Sequence, residues 1–170
     1  MDLFQALKTR RSVRAFTGAR IPEDHIREII ECGTYAPSAL NAQPWHFLVV
    51  EDRKLFPDLM RIHPYISSLA NASHAIILCA DRSLERAPGN WMQDCSACMQ
   101  NMLLAAHGLG YGAVWAGIFP ASDRMERFKT FFKLPESVEA HGIMVVGCPQ
   151  NPLPVVTDRY QKEKVHKNQW

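Results

Sequence analysis

Ala36-Pro37-Ser38-Ala39-Leu40-Asn41-Ala42-Gln43-Pro44-Trp45 runs straight into His46-Phe47-Leu48-Val49-Val50, and the reading of the fold starts at this junction. Two prolines bound a stretch that carries one hydroxyl and two side-chain amides, so the stretch reads as a loop. The short apolar run after it reads as a buried strand over Trp45–Val50. A loop of this composition can hydrogen-bond a flat heterocycle. Taken alone, Asn41 and Gln43 read as usual loop residues, bonded to their own backbone rather than to a ligand.

Upstream of the loop, Pro22-Glu23-Asp24 places a proline and two acids in a first helical turn, and Ile26, Ile29 and Ile30 follow at helical spacing. That helix is expected to reach about Cys32 and to stop at Gly33. Before it, Arg10-Arg11-Ser12-Val13-Arg14-Ala15-Phe16 sets three guanidiniums and a hydroxyl within five residues, just after a short amphipathic helix over Leu3–Thr9. Guanidinium forks match phosphate oxygens in shape and charge. The same cluster without context is a solvated basic turn. A phosphorylated cofactor bearing a ring would need both the cluster and the loop.

Downstream, residues 52–69 look helical but broken by Pro57 and Pro64. A second buried strand is expected over 74–80. A long helix over 90–107 carries Met92, Cys95, Met99, Met102, Leu103 and Ala106 on overlapping apolar faces and is closed by Gly108. Gly112–Gly117 reads as a third strand, Ser122 as the cap of an amphipathic helix through Phe132, and 143–146 as a fourth strand. The glycines of Gly108-Leu109-Gly110-Tyr111-Gly112 follow a helix and precede a strand, the reverse of a dinucleotide-binding loop. Pro149, Pro152 and Pro154 end the regular structure. The tail over 157–170 is polar except for Tyr160, Val165 and Trp170, too little to bury by itself, and is expected to lie on another surface such as a partner subunit's.

With 170 residues, 47% of them hydrophobic, the chain suits one mixed α/β domain over 1–170 and is too short for two. A net charge of +2 with spread basic residues nominates no nucleic-acid partner. No apolar run approaches the roughly 18 residues of a membrane span, and the start lacks the plan of a signal peptide, so a cytoplasmic protein is expected. Five cysteines, mostly in apolar segments, suit reduced thiols. Cys95 and Cys98 form a C-x-x-C inside the long helix, which reads as buried packing; no second pair completes a zinc site. None of the seven histidines sits beside a recognisable nucleophile. His107 reads as a helix C-terminal residue favoured by the dipole. Trp45 and Trp115 border strands and read as core.

The order of these motifs resembles the nitroreductase family across nearly the whole chain. The resemblance rests on R-R-S-V-R-x-F at 10–16, A-P-S-x-x-N-x-Q-P-W at 36–45, G-x-x-x-x-W-x-G-I at 110–118, and V-H-x-N-x-W at 165–170. It implies an α+β fold, a three-layer sandwich with a central mixed sheet flanked by helices. It also implies a domain-embracing homodimer whose tail, from 155 to 170, packs on the partner, with FMN held between subunits. Carried over by residue, Arg10, Ser12 and Arg14, with Arg11 beside them, would hold the FMN phosphate and ribityl chain. Pro37, Ser38 and Asn41 of the second subunit would close over the flavin, and Gln43 would hydrogen-bond its ring or ribityl hydroxyls. The backbone of Ala116 and Gly117 would face flavin N5. Arg159 would add a phosphate contact, a place Lys162 or Lys164 could also take. NADH or NADPH would pass hydride to N5, and a nitroaromatic, quinone or similar acceptor would take the electrons, with no dedicated catalytic side chain and no metal. The long insertion of larger members is missing here, so the resemblance names no substrate contact. Dehalogenation, flavin fragmentation, or flavin binding with little turnover are the other activities it leaves open.

Overall fold

The computed structural model describes residues 1–152 and 159–170. Helices α1 (Leu3–Thr9) and α2 (Glu23–Thr34) come first, and strand β1 (Trp45–Val50) follows the loop. After α3 (Phe56–Ile62) come β2 (His74–Asp81) and the long helix α4 (Trp91–Gly108), then β3 (Gly112–Gly117), α5 (Ser122–Phe132) and β4 (Val138–Gly147). The strands form one sheet in the order β1-β2-β4-β3.

Strands β2 and β4 lie in the middle and are buried on both faces, which explains their unbroken apolar sequence in a sheet of antiparallel neighbours. Their side chains divide with period two. Ala75, Ile77, Cys79, Ile143 and Val145 face one core, closed by Phe56 and Leu59 of α3 and Phe128 of α5. Ile76, Leu78, Ala80, Met144 and Val146 face the other, closed by Ile26 and Ile29 of α2 and by Cys95, Met99 and Met102 of α4. The chain is therefore an α+β sandwich of three layers: α2 and α4, the sheet, then α3 and α5.

Four local expectations need correction. The sheet expected to be mixed is antiparallel in all its ladders, and its parallel pairing among the described residues is a single bridge between Ser12 and Ala113. Gly33 does not stop α2: the helix runs one residue further, because a residue without a side chain lets it press on α4, where an added Cβ would stand 2.7 Å from Met102 Cγ. Ser122 is the first residue of α5 and makes no side-chain cap; Ala121 holds the cap position. Pro57 opens α3 in its first turn, where its missing N–H costs nothing. The turn at 108–112 joins helix to strand as expected, with Gly110 in the left-handed region at φ +87°. The tail expected from 155 begins outside the described residues; Arg159–Trp170 lie exposed, with a 3-10 turn at Lys162–Lys164.

Candidate active site

Asp2 caps α1 by accepting the Gln5 N–H, and Arg10 ends the helix by turning extended at ψ 134°. The chain then lies along the first residues of β3. Val13 N–H donates to the Ala113 carbonyl at 2.9 Å, and further along Thr17 N–H donates to Cys148 and Gln150 N–H to Ala15. Val13 and Phe16 point into the core, which leaves Ser12 and Arg14 on the exposed face. This docking depends on Gly112, because a Cβ there would stand 2.7 Å from Val13 Cγ1.

The corner so formed is crowded with positive charge. Burial holds the Arg10 guanidinium below its ordinary pKa, and the charges of Arg11 and Arg159 add to that. Arg159 therefore joins the cluster although it lies far along the chain. Arg10, Arg14 and Arg159 form no ion pair among the described residues. Beneath them, Thr9 gives its proton to the Gln5 carbonyl, so His107 Nε2–H donates to Thr9 Oγ1 at 2.8 Å. Burial, then Arg10 and Arg11, hold His107 below the ordinary imidazole value. The expectation of a dipole-favoured cation is thus corrected: His107 is a buried neutral donor. A bound dianion would relieve the repulsion among the guanidiniums, so the donor set fits a phosphate group.

Strand β3 leaves this corner and ends at Gly117, which is exposed, after the half-buried Ala116. Its end is set by a bulge in β4. Leu78 pairs with Gly142 and Cys79 with Ala140, leaving His141 extra, and the His141 carbonyl accepts from both Ile118 and Phe119 at 3.1 and 3.0 Å. His141 Nε2 meets Ser96 Oγ, and burial pulls the ring down to about 4. The Gly117 carbonyl accepts from His63 Nε2 at 3.0 Å and from the Arg124 guanidinium.

The loop before β1 is built differently. Leu40, Asn41 and Gln43 all have φ between 48° and 52°, a region that Leu and Gln rarely adopt. Partners hold them there. Gln43 N–H donates to Ser38 Oγ at 3.0 Å, Gln43 Nε2 to Asn41 Oδ1 at 2.9 Å, and the Arg86 guanidinium to the Leu40 carbonyl. Asp94 of α4, buried, accepts the Ala39 N–H at 2.9 Å, while its other carboxylate oxygen makes no hydrogen bond among the described residues. A cleft of about 320 Å³ opens beside it, lined by Pro37, Ser38, Ala39 and Gln93 among others. Sequence reasoning passed over Asp94, His63 and Arg124. The signal for Asp94 was readable: it stands three residues after Trp91 and four before Cys98, a carboxylate on the apolar stripe of α4.

In one chain the structure brings Arg10, Arg11, Ser12 and Arg159 into the neighbourhood of β3, and Pro37, Ser38, Asn41 and Gln43 onto the approach to β1. It does not bring the two groups together. Strands β1 and β3 are the opposite edges of the sheet and run antiparallel. The arginine cluster sits at the start of one and the loop at the start of the other, so they occupy diagonal corners, with three strand spacings, about 14 Å, between the edges alone.

The cysteines stay out of this geometry. Cys79, Cys95 and Cys98 are buried, and burial pushes Cys79 and Cys98 up to about 12 and Cys95 higher still, so none is a thiolate at neutral pH. Trp45 is core, as read from sequence; Trp115 is half-buried with its indole N–H unpartnered among the described residues. No helix among the described residues is long and apolar enough to cross a membrane.

The chain matches the sequence profile of the Nitroreductase family over residues 7–75 and 63–148. It is 41% identical over 170 residues, all of this chain and 88% of the relative, to a Methanothermobacter thermautotrophicus protein provisionally named NADH dehydrogenase/NAD(P)H nitroreductase. Among solved structures, one from Clostridium acetobutylicum, provisionally named an NADH oxidase, superimposes with a TM-score of 0.93 at 33% identity, covering 97% of this chain and 99% of that one. A second, from Desulfovibrio desulfuricans and provisionally named a nitroreductase, was crystallised in complex with FMN; it superimposes with a TM-score of 0.84 at 28% identity over 100% of this chain and 98% of its own.

Proposed function

The chain belongs to the nitroreductase family, and from that premise we propose that it is an FMN-dependent oxidoreductase working as a homodimer. It takes electrons from NADH or NADPH and passes them to small electron-poor acceptors such as nitroaromatics and quinones. The observation that carries this reading is the arginine corner docked on the same strand that ends at Gly117. A mononucleotide laid along β3 would meet Arg10, Arg11, Ser12, Arg14 and Arg159 with its phosphate and ribityl end, and Ala116 and Gly117 with its ring. Bound there, FMN would supply the two-electron exchange between nicotinamide donor and acceptor.

The residues around it bind and orient. Forked guanidiniums suit the phosphate in shape as well as charge, and the main chain at Gly117, without a side chain in the way, allows close approach to a flat ring. Pro37, Ser38, Asn41 and Gln43 stand at the wrong corner to serve the same copy, so they serve the site of a second. Support for such pairing comes from the apolar side chains the chain leaves uncovered: Leu3, Phe4 and Leu7 on α1, Leu40 in the loop, and Trp170 in the tail. The reading assigns no side chain to acid–base work, and binding and orientation are the protein's part.

Freshly purified protein tests the reading. A yellow product whose released chromophore has the mass of FMN, bleached anaerobically by NADH or NADPH and recoloured by a nitroaromatic or quinone, is the expected result. Colourless protein that does not take up added FMN would overturn it, and bound FMN that neither donor bleaches would leave only a flavin-binding module.

A further inference from the structure

We propose that His63 and Arg124 are positioning residues: by donating together to the Gly117 carbonyl they fix the main chain that lies beside the flavin ring. The inference rests on the flavin site proposed above. Its own basis is the convergence of two donors on this one carbonyl. His63 Nδ1 accepts the Tyr65 N–H at 3.3 Å, so the ring's proton is on Nε2, which donates to Gly117 at 3.0 Å. His63 is buried, and its ring meets Phe128 edge-on, so the donor is locked in place. Burial holds it below the ordinary imidazole value, with the Gly117 bond acting against that and the charge of Arg124 reinforcing it; it is a neutral donor.

The second donor comes from the first turns of α5. Arg124 reaches the same oxygen and lies over the Tyr65 ring, 5.6 Å from its centroid, and it forms no ion pair among the described residues. Asp123, next to it, pairs with Arg127 instead. Two donors from different elements, one neutral and one cationic, thus converge on the last residue of β3, which still pairs with Gly142 and stands just before the His141 bulge where the ladder ends. With both donors on one side, the orientation of that peptide is determined, and so is the exposed face that Ala116 and Gly117 present. The guanidinium also leaves a positive charge next to that face, which favours the more negative, reduced state of a bound flavin.

The test compares the whole protein with its Arg124→Ala and Arg124→Lys variants, measuring FMN affinity by fluorescence titration, the midpoint potential of the bound flavin, and the melting temperature. Arg124 is half-exposed, and its loss leaves both cores intact. We expect Arg124→Ala to melt cooperatively a few degrees below wild type, the cost of one lost internal hydrogen bond, to bind FMN roughly tenfold more weakly because the main chain beside the ring loses one of its two anchors, and to lower the midpoint by about 30 mV, a tenfold change for a two-electron couple. Arg124→Lys, which keeps a charge and a donor, is expected to recover most of both. Wild type that binds FMN alongside Arg124→Ala with unchanged affinity and potential would overturn the clamp alone. Wild type without FMN affinity would overturn the flavin site and the clamp with it.

Discussion

The arginine corner on β3 and the polar loop before β1 prepare for a ligand in opposite ways. The first keeps ordinary backbone angles and gathers charges that repel one another. The second satisfies itself, with Ser38, Asn41 and Gln43 bonded within the loop and Asp94 and Arg86 holding its middle at Ala39 and Leu40, at the cost of three residues in the left-handed region. One corner therefore needs an anion to be comfortable, and the other is shaped before anything arrives. An electrostatic site should respond strongly to charge changes, and a preformed loop should respond weakly to single changes.

The largest effect follows from that contrast. Arg10→Glu with Arg14→Glu should weaken FMN binding by a hundredfold or more in a fluorescence titration, at about 1.5–3 kcal/mol for each charge-assisted hydrogen bond removed. Acid gives the next. Arginines keep their charge across the accessible range, whereas buried histidines do not. His141 falls from its ordinary 6.5 to about 4 in the fold, so the unfolded chain takes up its proton first as pH drops. Stability is therefore full above about pH 6.5 and decreases toward pH 4 by about 3 kcal/mol for this residue alone. His63, His74 and His107 are displaced in the same direction. Urea unfolding as a function of pH should show the decline, and His141→Gln should flatten part of it.

Smaller effects sharpen the comparison. Gly112→Ala drives a Cβ against Val13, and should cost about 1–3 kcal/mol by overpacking, with a matching drop in FMN affinity because the arginine segment is displaced. Leu40→Gly should relieve the left-handed strain at an exposed residue, raising the urea midpoint by the equivalent of about 0.5–1 kcal/mol, with FMN affinity changed less than threefold.

Much of this was readable in the sequence because it depends on local patterns. Each of the four strands announced itself by an apolar run, and Met99, Met102 and Ala106 marked the buried face of α4. The arginine cluster and the amide-rich loop stood out by composition. What escaped depends on packing between distant segments. Gly33 reads as a stop signal, and only the approach of Met102 turns it into a point of close packing. His107 has the position of a dipole-favoured cation, yet Arg10 and Arg11, some hundred positions away, help burial hold it neutral. The fourth strand reads only over 143–146, and nothing in the sequence marks its earlier start at Val138 or the bulge at His141. His63 and Arg124 meet at Gly117 only because α3 and α5 pack on the same face of the sheet.

The central claim is that each site takes its arginines from one copy and its loop from another. It is tested most directly by mixing two defective variants, one with Arg10→Glu and Arg14→Glu, the other with Ser38→Trp and Asn41→Trp, after unfolding and refolding them together. Neither binds FMN alone in this account. Mixed dimers carry one intact site of two, so random pairing should restore about a quarter of the wild-type FMN content. No recovery, from variants that each refold and assemble, would contradict a shared site.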